Sequence, residues 1–155
     1  MGEIRVAIAD DNERILELLG EIINSDRELN LVGKANNGED MCSVIREKEP
    51  DVVLLDLIMP KMDGLSVMDH VNHDKTLKKR PNFIVVTAVG QERITEDAFN
   101  KGAVYYVMKP FKNEMILDRI KQVGQKGTNA FSHISEAGHS KEEDPQVSLE
   151  TRVTD

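Results

Sequence analysis

Short apolar runs alternate with longer stretches in which apolar residues recur every three or four positions. Ile4 to Ala9 is the first run, cut off by Asp10-Asp11-Asn12. Ile15, Leu16, Leu18, Leu19, Ile22 and Ile23 then fall at helical spacing. Leu29 to Ala35 reads as a weaker strand, and Asn36-Asn37-Gly38 as a turn and helix cap. Met41, Val44 and Ile45 mark a second helix stopped by Pro50, and Val52 to Leu55 is apolar throughout, as a strand covered on both faces must be. After Asp56 comes a loop with Pro60 and Asp63-Gly64, then a helix carrying Leu65, Met68 and Val71. Phe83 to Val86 is a fourth strand ending in Thr87, and Ile94, Ala98 and Phe99 place a helix closed by Gly102. Val104 to Met108 is a fifth strand, followed by Lys109-Pro110 and a helix with Met115, Ile116, Ile120 and Val123.

Helix-length amphipathic connections between strands demand right-handed crossovers and a parallel sheet with helices on both faces. The predicted class is α/β, a single doubly wound (βα)5 flavodoxin-like domain with sheet order 2-1-3-4-5. Hairpin-based all-β readings fail because the connections are too long and have a period of 3.6.

In such a sheet, ligands sit beyond the carboxyl ends of the strands, where the strand order reverses. Those ends carry Asp10-Asp11, Asp56, Thr87 and Lys109. Each has an ordinary structural reading: the acids as helix caps, Thr87 as another cap, Lys109 as a solvated charge. Their recurrence on four strand ends of one rim favours a shared site. Clustered carboxylates repel and raise pKa values, and a hard divalent cation relieves them. Mg²⁺, or Mn²⁺ in its place, suits one or two carboxylates plus a phosphoryl oxygen, and nothing resembles a calcium-binding loop. Lys109 offers fixed positive charge to a second phosphoryl oxygen and Thr87 a hydroxyl to a third. Asp56 is the candidate nucleophile.

Charge and composition narrow the partners. The 155 residues carry a net charge of −8, unfavourable for binding nucleic-acid phosphates directly. No stretch approaches the roughly 20 apolar residues of a membrane span. The lone cysteine, Cys42, allows no internal disulfide and fits a reducing, cytoplasmic setting. Half of the net charge falls on residues 127–155, which have few bulky apolar residues. The expected division is a domain over 1–126 and an acidic polar tail or linker over 127–155. His70, His73, His133 and His139 show no ligand spacing, and Tyr105 and Tyr106 read first as packing residues.

Asp10-Asp11, the segment from Pro50 to Gly64, Thr87-Ala88, the segment from Lys101 to Tyr106 and Lys109-Pro110-Phe111 together resemble the receiver domain of two-component response regulators. The likeness runs from residue 4 to about residue 124. It implies that Asp56 is the phosphoacceptor and that Asp10, Asp11, Asp56 and the backbone carbonyl of Ile58 hold Mg²⁺. It implies that Lys109 contacts the phosphoryl group through a cis bond to Pro110, that Thr87 is the switch hydroxyl and that Tyr106 is the switch aromatic. Implied partners are a histidine kinase or histidine phosphotransferase, and a second copy through the face of the fourth helix, fifth strand and fifth helix. The resemblance implies a signalling domain and not an enzyme. Asp56-Leu57-Ile58-Met59-Pro60 and Thr87-Ala88-Val89-Gly90-Gln91-Glu92 further resemble receivers of sporulation regulators, implying control of transcription through an effector domain. No basic DNA-binding module stands in this sequence, so a stand-alone receiver acting by protein contact is the alternative.

Two other classes share the topology. A flavodoxin-like carrier needs a hydroxyl- and glycine-rich loop after the first strand, where Asp10-Asp11-Asn12 would repel a flavin phosphate. An aspartyl-phosphate hydrolase needs an added acid–base and a substrate cleft. If residues 127–155 are a tail, truncation after Lys126 leaves a body with a cooperative thermal transition by circular dichroism. Loss of that transition would make the tail part of the core.

Overall fold

Branched aliphatic residues build five strands, and the stretches between them wind into five helices. The computed structural model describes residues 3–124, and the tail expected at 127–155, with His133 and His139, lies outside them. The described residues close into one compact unit. The elements are β1 (Ile4–Ala9), α1 (Glu13–Asn24), β2 (Leu29–Ala35), α2 (Gly38–Lys48), β3 (Val52–Asp56), α3 (Gly64–His73), β4 (Asn82–Thr87), α4 (Glu92–Asn100), β5 (Tyr105–Met108) and α5 (Asn113–Gly124). The strands form one parallel sheet in the order β2-β1-β3-β4-β5, as the alternating pattern predicts.

Strand periodicity divides the core. Val6, Ile8, Val52, Leu54, Ile84 and Val86 meet α1 and α5 on one face. Ala7, Ala9, Val53, Leu55, Phe83 and Val85 meet α2, α3 and α4 on the other. Every residue of β3 is buried, which explains why it reads as a continuous apolar run. Edge strand β2 mixes buried, half-buried and exposed positions, hence its weaker pattern.

Local signals set the boundaries. Asn37 caps α2 through Asp40 N, and Asp63 caps α3 through Ser66 N. Helix α2 ends at Glu49, in the left-handed region with φ 48°, just before Pro50. Three residues assigned by period to apolar helix faces are less buried than that pattern predicts: Leu18 is 39% exposed, and Phe99 and Met115 are each 40% exposed. Phe99 instead meets the Tyr106 ring edge-on at 6.1 Å between centroids. The fifth strand starts at Tyr105, one residue later than predicted, with Val104 N donating to Phe83 O at its entrance.

Register brings the polar strand ends to one rim. Ala9 pairs with Leu55, Asp56 with Val86, and Thr87 with Met108, so the residues that follow emerge side by side. Two glycines press on the loop after β3. A Cβ on Gly38 would stand 2.0 Å from Met62 O, and one on Gly64 would stand 2.7 Å from Asp56 O. Gly38→Ala must therefore displace backbone, at a cost of about 1–3 kcal/mol. The expected result is a lower thermal midpoint, and an unchanged midpoint would contradict the close approach.

Candidate functional site

Asn12 decides what the first acids are free to do. Its Oδ1 accepts from Arg14 N at 2.9 Å and Ile15 N at 3.2 Å, capping α1. Asp10 and Asp11 are thereby released from the capping role open to them on sequence. Asp10 is fully buried, with Oδ1 accepting from Asn12 N at 2.9 Å. Asp11 is exposed and Asp56 only 5% exposed. The three side chains each offer a carboxylate oxygen, all within 4.8 Å of one another.

Lys109 enters this cluster from the end of β5. Its Nζ lies 3.0 Å from Asp10 Oδ2 and 3.7 Å from Asp56 Oδ2. Asp10 Oδ2 is buried and meets Lys109 as an ion pair, without the alignment of a hydrogen bond. The Lys109–Pro110 peptide is cis, as expected, and Lys109 N donates to Thr87 O at 2.7 Å. Ile58 N donates to Asp56 Oδ1 at 3.2 Å, while the Ile58 side chain is half exposed.

The Asp56 carboxyl is pushed up from 3.8 to about 6, chiefly by burial and then by the Asp10 charge, with Lys109 and the Ile58 N–H opposing. Mutual repulsion is thus the secondary cause and desolvation the first, which corrects the sequence-based emphasis on crowding. The donor set fits a hard divalent cation: three carboxylates within reach of one another, one buried oxygen lacking a directed hydrogen bond, and an open side at Asp11.

Thr87 and Tyr106 sit on the adjoining part of the rim. Thr87 is buried, but its Oγ1 points to α4, at 2.8 Å from Thr95 Oγ1 and 3.2 Å from Gln91 Oε1. Gln91 Oε1 also accepts from Ala88 N at 3.0 Å. Half-buried Tyr106 packs against the core beside Phe99, and half-buried Tyr105 lies under Arg119 at 4.8 Å from the ring centroid. Thr95 and Arg119 escape the sequence reading, and Gln91 enters it only within the segment 87–92, with no role of its own. Only the helical i,i+4 spacing of Gln91 and Thr95 hints at a shared face. Exposed His70 and His73 take no part, and Cys42 is buried with Sγ at 3.6 Å from Met62 Sδ.

Comparison with known proteins agrees with this geometry. The family model described as the response regulator receiver domain matches residues 6–121. The chain is similar to the receiver domain of AraT, a response regulator from Geobacillus stearothermophilus, at 27% identity over 81% of this chain and 96% of that one, TM-score 0.70. It is similar to the response regulator domain of Thermotoga maritima CheB, at 25% identity over 84% and 98%, TM-score 0.66. It also resembles a chain of the CheX–CheY–BeF₃–Mg²⁺ complex from Borrelia burgdorferi, at 29% identity over 77% and 88%, TM-score 0.67.

The raised Asp56 carboxyl makes stability depend on pH. The folded state holds this proton more tightly than the unfolded chain, so stability falls as pH rises from 3.8 to about 6 and stays lower above. Allowing for solvent screening, the ionised group costs about 1–2 kcal/mol at pH 7.5. Asp56→Asn therefore raises the thermal midpoint in metal-free buffer at pH 7.5 by roughly 3–8 °C. The gain shrinks as pH is lowered toward 4, and a pH-independent difference would contradict the assignment.

Proposed function

The chain belongs to the response regulator receiver domain family, and from that membership we propose that it accepts a phosphoryl group from a partner's phosphohistidine onto Asp56. The observation that carries this reading is buried Asp56 between the Asp10-Asp11 pair and the Lys109 ammonium on one rim. A carboxylate oxygen of Asp56 attacks phosphorus in line as the P–N bond breaks, and its electron pair leaves with the imidazole nitrogen. Desolvation leaves the Asp56 carboxylate poorly hydrated, while a pKa of about 6 keeps it ionised near neutral pH. Lys109 binds a phosphoryl oxygen and offsets the charge that gathers in the transition state. Asp10, Asp11, Asp56 and the backbone carbonyl of Ile58 would hold Mg²⁺ or Mn²⁺. The ion supplies charge neutralisation for the carboxylates and phosphoryl oxygens.

Phosphorylation then draws the Thr87 hydroxyl toward the new oxygens and Tyr106 inward, biasing the face formed by α4, β5 and α5. Phe99, Met108 and Met115, each 37–40% exposed there, support its use as a contact surface for a second copy. The donor is a histidine kinase or histidine phosphotransferase. The output is a conformational signal and not multiple turnover of a substrate. The wording of residues 56–60 and 87–92 supports control of sporulation transcription through an effector domain or partner, this chain itself making no direct nucleic-acid contact. Among the described residues no helix is long and apolar enough to cross a membrane. The lone Cys42 supports a cytoplasmic setting.

Intact mass spectrometry after incubation with acetyl phosphate and Mg²⁺ tests the assignment. Wild type gains a single phosphoryl mass that is lost in mild base, and Asp56→Asn gains none. Equal labelling of the two proteins would move the phosphoacceptor elsewhere.

A further inference from the structure

We propose that Gln91 and Thr95 are positioning residues that hold the Thr87 hydroxyl on the α4 side of the rim and so set how readily the site takes a phosphoryl group. This deepens the reading of Asp56 as phosphoacceptor and rests on it.

A proton count carries the inference. Thr95 Oγ1 donates to the carbonyl of Gln91 at 2.7 Å, which uses its one hydrogen. The 2.8 Å contact between Thr87 Oγ1 and Thr95 Oγ1 admits either hydroxyl as donor, and with the Thr95 hydrogen on Gln91 O we assign Thr87 as the donor. The second acceptor near that hydrogen, Gln91 Oε1 at 3.2 Å, also belongs to the α4 side. The single Thr87 proton is thus committed to α4, and a phosphoryl oxygen on Asp56 has to compete for it. Thr87 and Thr95 are both buried, at 2% and 7% exposure, so water does not readily replace either partner.

Gln91 grips the loop as well. Its Oε1 accepts from Ala88 N at 3.0 Å, and its own N–H donates to Ala88 O at 3.1 Å. Ordinary helix capping does not account for this side chain: Gln91 occupies the cap position of α4 yet makes no side-chain capping bond to the helix. Its amide reaches backward, onto Thr87 and Ala88. The far end of α4 is tied down separately, by Asn72 Nδ2 donating to Lys101 O at 2.9 Å and by the Lys101–Asp69 ion pair at 2.9 Å. The Gln91–Thr95 contacts are therefore a local restraint at the end nearest Asp56.

Removing the acceptor leaves the Thr87 proton less committed, enlarges the binding-competent fraction and tightens binding of a phosphoryl mimic. The loss of one buried hydrogen bond corresponds to about a fivefold change. The test is calorimetric titration of the full chain with beryllofluoride and Mg²⁺. Thr95→Val, which keeps shape and loses the acceptor, binds about fivefold more tightly, and Thr95→Ser, which keeps the hydroxyl, binds like wild type. In a Thr87→Ala background, Thr95→Val has no effect, a dependence that a merely structural role would not produce. If Thr95→Val does not fold, Gln91→Met carries the same expectation from a partly exposed position. Unchanged or weaker affinity in a folded variant, or equal tightening without Thr87, would overturn the proposal alone. Failure of the wild type to bind would overturn the phosphoacceptor reading and this proposal with it.

Discussion

Three carboxylates crowded at the carboxyl end of a parallel sheet are the constraint on which the rest of the structure depends. Asp10 and Asp56 are buried, so their charges are poorly solvated as well as close together. In a low-dielectric setting such a group either gains a counter-charge or takes up a proton. Lys109 supplies the counter-charge within the protein, reaching Asp10 and, more distantly, Asp56. That balance is incomplete, since the Asp56 carboxyl still titrates well above an ordinary aspartate. A site left in this condition is receptive to cations and, once neutralised, to phosphoryl oxygens.

Much of the surrounding fold holds this arrangement in place. The switch point between β1 and β3 sets the acids side by side, and β4 and β5 extend the rim to Thr87 and Lys109. Asn12 takes over the capping of α1, leaving the Asp11 side chain exposed and available. The loop after Asp56 is fixed from two sides by close glycine contacts, Gly38 from α2 and Gly64 at the start of α3. These devices are local, but each acts on the same few ångströms.

On the proposed reading, the second half of the rim serves the response more than the chemistry. Thr87 ends a buried strand, and its hydroxyl is engaged by α4. Tyr106 lies one strand over, against Phe99 on the outer face of α4. Thr87 thus links the rim that carries Asp56 to a helix whose outer surface is partly apolar. That adjacency gives a receiver domain a physical route from phosphorylation to partner contact.

The sequence by itself determined the elements, their parallel order and the residues of the acidic rim. Strand burial forces continuous apolar runs, helices need their period, and a polar residue directly after a buried strand has few places to go. The cap at Asn37 was equally legible, because it bonds to backbone only three positions away, whereas Asp63 read as loop and its capping of α3 emerged from the structure. Tertiary structure alone decided the direction of the Thr87 hydroxyl and the partnership with Gln91 and Thr95, since these depend on how α4 lies against the end of β4. It alone decided that burial outweighs charge repulsion at Asp56, because desolvation is set by every element packed around the group. It also decided that Phe99 and Met115 stay partly exposed: helical period fixes which residues share a face, while the neighbouring elements determine how much of that face they cover.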